Sequence, residues 1–221
     1  MHSVTILKVE SLNHNVRRIR TEKPGNYSFQ PGQATDVAVD REGLRDAQRP
    51  FTFTSLPSEK HLEFVIKIYP EHEGVTAAID TLKEGDRLLI EDPWGAITFQ
   101  CPGTFIAGGA GLTPFLAILR DRAGTPDRSA NRLIFSNHTR KDLFLKNVLE
   151  KYTNGNLLLT FTKENVPGAE NGRVDVEFLK KHVENVNQCF YVCGPPDMVE
   201  SVSADLKTMG VSPDKIVTEE S

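Results

Sequence analysis

The rhythm of the chain changes at Cys101-Pro102-Gly103, and that change limits the fold more than any single motif does. Before it, short runs rich in β-branched and aromatic residues follow one another closely, bounded by Gly, Pro or Asp. Ser3 to Val9, Asn15 to Thr21, the stretch from Pro31-Gly32 through Val39, Phe51 to Ser55, Leu62 to Ile68 and Arg87 to Glu91 all read as strands. One short helix, Thr76 to Leu82, interrupts them. Such spacing predicts an antiparallel β-barrel. After the change, strands at Thr104–Ala107, Leu133–Ser136, Leu157–Thr162, Cys189–Cys193 and Lys215–Thr218 alternate with helices at Thr113–Arg122, Lys141–Tyr152, Val176–His182 and Asp197–Met209. That alternation predicts a parallel sheet with helices on both faces. The 221 residues suit two modest domains, with expected bounds at 1–99 and 103–221.

Two motifs fall in fixed places on this frame. Arg49-Pro50-Phe51-Thr52 lies on a barrel strand and offers a permanent cation, an aromatic face and a short hydroxyl. Arginine holds phosphate oxygens in bidentate fashion, a task lysine performs less well. Phe51 lies two residues on and so points the same way, available to a planar ring. Gly74-Val75-Thr76 opens the short helix, where free N–H groups and a hydroxyl N-cap favour an anion. Together they suit the diphosphate of a flavin, although an Arg and a Phe on a strand are structural at least as often.

Gly108-Gly109-Ala110-Gly111-Leu112-Thr113-Pro114 joins a strand to a helix, the setting in which backbone N–H groups cradle a dinucleotide pyrophosphate. The loop departs from the usual dinucleotide fingerprint, because Pro114 replaces the third glycine. Nor does a carboxylate end the next strand, where Ser136-Asn137-His138-Thr139-Arg140 stands. Cys193-Gly194-Pro195-Pro196 again ends a strand and opens a helix, so two loops line one edge of the sheet. Most free cysteines are small buried residues, and that is the plain alternative for Cys193.

Composition excludes several classes. A formal net charge of −4 does not suggest nucleic acid. Arg17, Arg18, Arg20, Arg41, Arg45 and Arg49 make the first half locally basic, which reads mainly as a solvated strand face and secondarily as a dock for an acidic partner. Three cysteines give no disulfide framework. Cys189 and Cys193 lie roughly 13 Å apart along one strand, too far to bridge or share a metal. No metal site is expected. The N-terminus lacks a signal pattern, and Phe105–Leu119 is too short and interrupted to span a bilayer, so no membrane and a cytoplasmic location are expected.

In their order, Arg-Pro-Phe-Thr, Gly-Val-Thr, Gly-Gly-Ala-Gly-Leu-Thr-Pro and Cys-Gly-Pro-Pro resemble the ferredoxin-NADP reductase superfamily over nearly the whole chain. The resemblance implies a six-stranded Greek-key barrel binding flavin, then a Rossmann-like α/β domain with a five-stranded parallel sheet. It implies FAD rather than FMN, with NAD(P)H as substrate. Arg49 would contact the flavin phosphates, Pro50 and Phe51 would pack nearby, and Thr52 would reach the reactive nitrogen. Gly74, Val75 and Thr76 would hold the diphosphate. Gly109, Gly111 and Thr113 would form the nicotinamide nucleotide loop. Cys193, Gly194 and Pro195 would sit near hydride transfer, with Thr52 and Cys193 as the catalytic pair.

Phe51 stands where the family commonly has Tyr, and Glu219-Glu220-Ser221 brings no terminal aromatic to cover the flavin. Ser136, Arg140 and Thr162-Lys163 suit a 2′-phosphate, and Thr162-Lys163-Glu164 resembles a Ser-Arg-Glu stretch of NADPH-using relatives. Asn137-x-Thr139 resembles NADH-using branches, so NADPH is slightly favoured. The expected acceptor is flavodoxin, ferredoxin or an oxygenase component. A reductase of free flavin and a non-autonomous electron-transfer subunit remain the alternatives.

Overall fold

The structure, a computed structural model, describes residues 1–69, 74–95 and 97–219. Six strands build the first unit: β1 (His2–Ser11), β2 (Val16–Glu22), β3 (Ala34–Val39), β4 (Arg49–Thr52), β5 (His61–Lys67) and β6 (Arg87–Ile90). Their order is β4-β3-β6-β1-β2-β5, with every pairing antiparallel. The two ends of this sheet approach each other through a bridge between Phe53 and Phe64 and the Thr54 N–H donating to the Glu63 carbonyl at 2.8 Å, so the barrel is nearly closed. Alternation aims Val4, Ile6, Ile19, Val37, Phe53, Phe64 and Ile66 inward, all almost fully buried.

Helix α1 (Val75–Asp80) plugs the barrel with Val75 and Ile79. Its N-cap is Gly74, with no side-chain cap, and Thr76 lies inside the first turn. The expected hydroxyl N-cap is therefore absent, because Val75 is drawn into the core and starts the helix one residue early.

The second unit carries a parallel sheet of β7 (Gly103–Gly108), β8 (Arg132–Asn137), β9 (Leu157–Phe161), β10 (Glu170–Asn171), β11 (Cys189–Cys193) and β12 (Ile216–Thr218), in the order β10-β9-β8-β7-β11-β12. Six strands stand where five were expected; the extra one, β10, has only two residues and no readable alternation. Phe105 and Ala107 face one apolar cluster with α2 (Thr113–Arg122) and α3 (Lys146–Tyr152). Ile106 faces the other, with α4 (Val176–His182) and α5 (Pro196–Thr208).

The expected helix from Lys141 does not form there. Thr139 and Asp142 close a capping box on a short 3-10 turn over Arg140–Asp142, Leu143 is extended, and Leu145 is left-handed at φ 57°. This path buries Phe144, edge-on to Phe135 at 5.6 Å.

A disulfide joins Cys101 to Cys189, against the expectation of none. Their positions are 88 apart in sequence, but β11 and β7 are paired with Cys189 opposite Gly103, which brings the Cα atoms to 5.8 Å. Tyr191 fastens the same connection: its hydroxyl donates to the Cys101 carbonyl at 2.8 Å and accepts from the Gln100 and Cys101 N–H groups. Among the described residues, no helix is long and apolar enough to cross a membrane.

Candidate functional site

Chain order reverses at β7. From there it moves to β8 on one side and later jumps to β11 on the other, and ligands of open α/β sheets bind at such switch points. The loops after β7 and β11 meet there. A Cβ on Gly111 would lie 2.3 Å from the Cys193 carbonyl oxygen, and one on Gly108 2.4 Å from the Met198 sulfur. Gly111 lets two backbones touch, and Gly108 makes room for the Met198 side chain. Gly109 differs: its φ is +54° and a Cβ would meet nothing closer than the Lys67 ammonium at 4.0 Å, so it is the glycine turned to the open crevice.

The crevice is a cavity of about 1120 Å³ between barrel and sheet, larger than the ~300–1,000 Å³ of an ordinary small-ligand pocket. Pro50, Phe51, Thr52 and Thr76 line it from the barrel; Gly109, Gly111, Thr113, Ser136, Lys163, Cys193, Gly194 and Pro195 line it from the sheet. The Thr113 hydroxyl donates to the Ala110 carbonyl at 3.1 Å and lies 3.5 Å from the Thr52 hydroxyl, a direct contact between the two motifs.

Arg49, Gly74, Val75 and Arg140 are not on the cavity wall. Arg49 is exposed and donates to the neighbouring Gln48 carbonyl at 2.7 Å, its one side-chain hydrogen bond among the described residues. Arg17, Arg18, Arg20, Arg41 and Arg45, in contrast, are held by Asp80, Glu10, Glu63, Asp86 and Asp40. Those five arginines are thus ion-paired, and Arg49 makes no ion pair among the described residues. Arg140 is drawn away by Glu164, which accepts its backbone N–H at 2.7 Å.

The walls also hold residues that sequence reading passed over. Lys67 ends β5, Arg173 follows Gly172, and Trp94 stands exposed at the barrel edge, its indole N–H donating to Asp36 at 3.0 Å. Glu219 lies beside Cys193; desolvation against the wall pushes its carboxyl up although its outer side stays exposed. Glu220 and Ser221, the rest of that terminal stretch, lie outside the described residues. Asn137 is 5% exposed, and neither its amide N–H₂ nor its amide oxygen has a partner among the described residues. Buried amides are almost always satisfied, so an unpartnered one on a cavity wall is available to a ligand. Burial pushes the Cys193 thiol far up, with Glu219 adding to the shift, so the sulfur is protonated at neutral pH.

A positive-φ glycine at a strand end, a half-buried phenyl ring and an unpartnered amide around one crevice fit diphosphate-bearing, planar ligands. That defines a two-unit flavin- and nicotinamide-binding oxidoreductase. Residues 3–99 match the oxidoreductase FAD-binding domain family, and residues 105–204 match the oxidoreductase NAD-binding domain family. The chain belongs to the ferredoxin-NADP reductase-like family that joins these two domains.

Among curated relatives, NADH-cytochrome b5 reductase 2 of Mycosarcoma maydis is 30% identical, over 90% of this chain and 63% of that protein. The reductase component of propane 2-monooxygenase from Rhodococcus jostii is 26% identical, over 96% and 61%. The chain thus spans about three-fifths of the length of these relatives. A ferredoxin NADP+ reductase from Neisseria gonorrhoeae, solved with FAD and NADP bound, shares the fold at a TM-score of 0.83 and 21% identity, covering 99% of this chain and 97% of that one.

Proposed function

We propose that this protein is an NAD(P)H-dependent flavoprotein reductase that passes electrons to a redox-protein acceptor such as flavodoxin, ferredoxin or an oxygenase component. The observation that carries the reading is the meeting of Thr52, Thr113 and the Cys193 loop at one crevice between the two units. Bound FAD would supply hydride acceptance and one-electron release, chemistry the side chains lack. The chain supplies position and electrostatics.

Arg49, together with the N–H groups at Gly74, Val75 and Thr76, would hold the flavin diphosphate. Val75 contributes backbone only, since its side chain is core. Phe51 packs on the ring, and Thr52 offers its hydroxyl at the reacting edge. Gly109 and Gly111 seat the second pyrophosphate, with Thr113, Gly194 and Pro195 shaping the nicotinamide end. Because its thiol stays protonated, Cys193 acts by packing and as a weak donor, not as a nucleophile.

Lys163 and Arg173 on the wall, with Ser136, supply cations and a hydroxyl for a 2′-phosphate, which favours NADPH. The relatives named as NADH-cytochrome b5 reductases, and Asn137 on the wall, support NADH as the second reading. Relatives named as oxygenase reductase components support a protein acceptor. The units correspond to residues 1–99 and 103–221. A cytoplasmic location is proposed with them; because disulfides are uncommon in reducing compartments, titrating Cys101 and Cys189 in protein quenched from intact cells checks it.

The deciding experiment is the anaerobic visible spectrum before and after each nucleotide. Rapid bleaching of a yellow protein by NADPH, more slowly by NADH, is expected. Bound flavin that neither nucleotide reduces would instead support a subunit that works only within a larger complex.

A further inference from the structure

Helix α2 meets the barrel along one face. Thr113 and Arg120 lie seven residues apart, two helical turns, so they share that face at a separation of roughly 10 Å. Thr113 touches Thr52. Arg120 meets Glu59 in a bidentate pair, Nη2 to Oε1 at 2.7 Å and Nη1 to Oε2 at 3.1 Å. Between them Leu116 faces a small void of mixed lining, walled also by Thr54, Glu63, Val148 and Tyr152. On the barrel side the matching points, Thr52, Thr54 and Glu59, follow one another along the segment that leaves the Arg-Pro-Phe-Thr strand.

Glu59 is fixed before it meets Arg120. Its carboxylate accepts the Leu56 N–H at 2.9 Å, and its own N–H donates to the Leu56 carbonyl, closing a tight turn. Burial pushes the Glu59 carboxyl up, but the Leu56 N–H and the Arg120 guanidinium outweigh it and hold it below the usual range. The pair is also largely sheltered, with side-chain exposures of 31% for Arg120 and 22% for Glu59. Apolar contacts already dock the units, since Val16, Val65 and Ile97 share a cluster with Phe105, Leu116 and Ile118. Apolar packing resists separation but is not directional. A preset, bidentate pair at the end of the seam supplies direction.

We propose that Glu59 and Arg120 are positioning residues: their ion pair sets the tilt of α2 on the barrel, and through Gly111 and Thr113 the spacing between the flavin and nicotinamide sites. Neither residue lines the main cavity, and the two side chains are bound to each other. The effect falls on the limiting rate of hydride transfer and leaves nucleotide affinity nearly alone. This rests on the hydride-transfer reading above.

Two variants test it, Arg120→Gln and Glu59→Gln, with Arg120→Lys as the conservative partner. In stopped-flow reduction, each Gln variant should retain bound flavin and nucleotide Kd within about 3-fold, while the limiting rate falls about 10- to 100-fold, the scale of a sub-ångström to 1 Å misplacement. Arg120→Lys keeps the charge without the fork and should fall between. Amide hydrogen exchange in peptides covering 52–59 and 113–122 should rise in the Gln variants, a readout independent of turnover. An unchanged limiting rate, or Kd, flavin content and rate lost together, overturns the proposal. If no nucleotide reduces even the parent protein, the functional reading fails while exchange still reports on the strut.

Discussion

Substituting Gly111 by alanine tests whether the two glycine loops are spaced by direct backbone contact. The added Cβ would lie 2.3 Å from the Cys193 carbonyl oxygen, 2.4 Å from its carbon and 2.5 Å from the Gly194 nitrogen. All three are backbone atoms at the end of a central strand, so no side chain can swing aside. Restoring ordinary contact at 3.4 Å or more requires the loops to part by roughly 1 Å, and misplacement on that scale costs about 10²-fold in rate. Overpacking of this kind also destabilises by about 1–3 kcal/mol. In a protein of this size that corresponds to about 2–4 °C in Tm per kcal/mol.

The assay is stopped-flow reduction of the flavin-loaded protein, alongside thermal unfolding. Gly111→Ala should stay folded and yellow, with a lower Tm and a limiting rate down about 100-fold. Gly109→Ala is the contrast. It meets no backbone, but its φ of +54° costs about 1–2 kcal/mol in a residue with a Cβ. Because Gly109 faces the crevice, its loss should appear mainly in nucleotide affinity. Full-rate reduction by a folded Gly111→Ala protein refutes the loop-spacing argument.

Arg49→Ala should raise the flavin Kd by about 10- to 100-fold, the loss of one or two charge-assisted hydrogen bonds, whereas Cys193→Ala should retain flavin and slow its reduction; equilibrium dialysis and rapid mixing separate them, and the reverse pattern would exchange their roles. Breaking the Cys101–Cys189 bridge releases a loop of 88 residues and, on the chain-entropy account, should cost about 4–5 kcal/mol, seen as a lower urea midpoint for Cys101→Ser; an unchanged midpoint under non-reducing conditions contradicts the bridge. The folded-state pKa of Glu59 lies below its unfolded value, so the pair stabilises the protein above the ordinary carboxylate range and this is lost as pH falls through the folded value. Unfolding curves of parent and Glu59→Gln should therefore differ most near neutral pH and converge below about pH 4; a constant difference across that range would exclude Glu59 as the titrating group.

The sequence carried the architecture because alternation and spacing are local. Strands β1 to β6 follow runs that alternate or are rich in β-branched residues, and α4 and β11 have the bounds their residues imply. What escaped it was non-local. Helix α3 was misplaced because Leu145 adopts a left-handed turn that no propensity signals, driven by the burial of Phe144. The disulfide was hidden because only the β7–β11 register brings Cys101 to Cys189. That Glu164 lies against Arg140 and that Arg173 lines the crevice were equally invisible, since both depend on contacts between separate loops. Gly111 was legible as a loop glycine, but not its contact with the Cys193 carbonyl, eighty-odd residues away.

The division into two units is itself less complete in space than along the chain. Contacts between domains of one chain are usually modest and more polar than a core, which leaves relative motion as the default. Here Val16 and Val65 of the barrel and Ile97 of the connection share a single apolar cluster with Phe105, Phe115 and Leu119, the interior of the nucleotide unit. A Cβ on Gly32 would strike the Ile97 carbonyl at 2.0 Å and the Ile118 side chain at 2.9 Å, so the barrel backbone itself is part of the fit. A close-packed interior of this kind resists the ångström-scale sliding that would open and close a crevice. It follows that the packed core bounds the distance between the two sites, and that within this bound the polar contacts at its margins set the tilt of α2 and with it the final spacing. Helix α2 joins both: its first turn holds the nucleotide loop, its buried face is core, and Arg120 at its far end reaches the barrel.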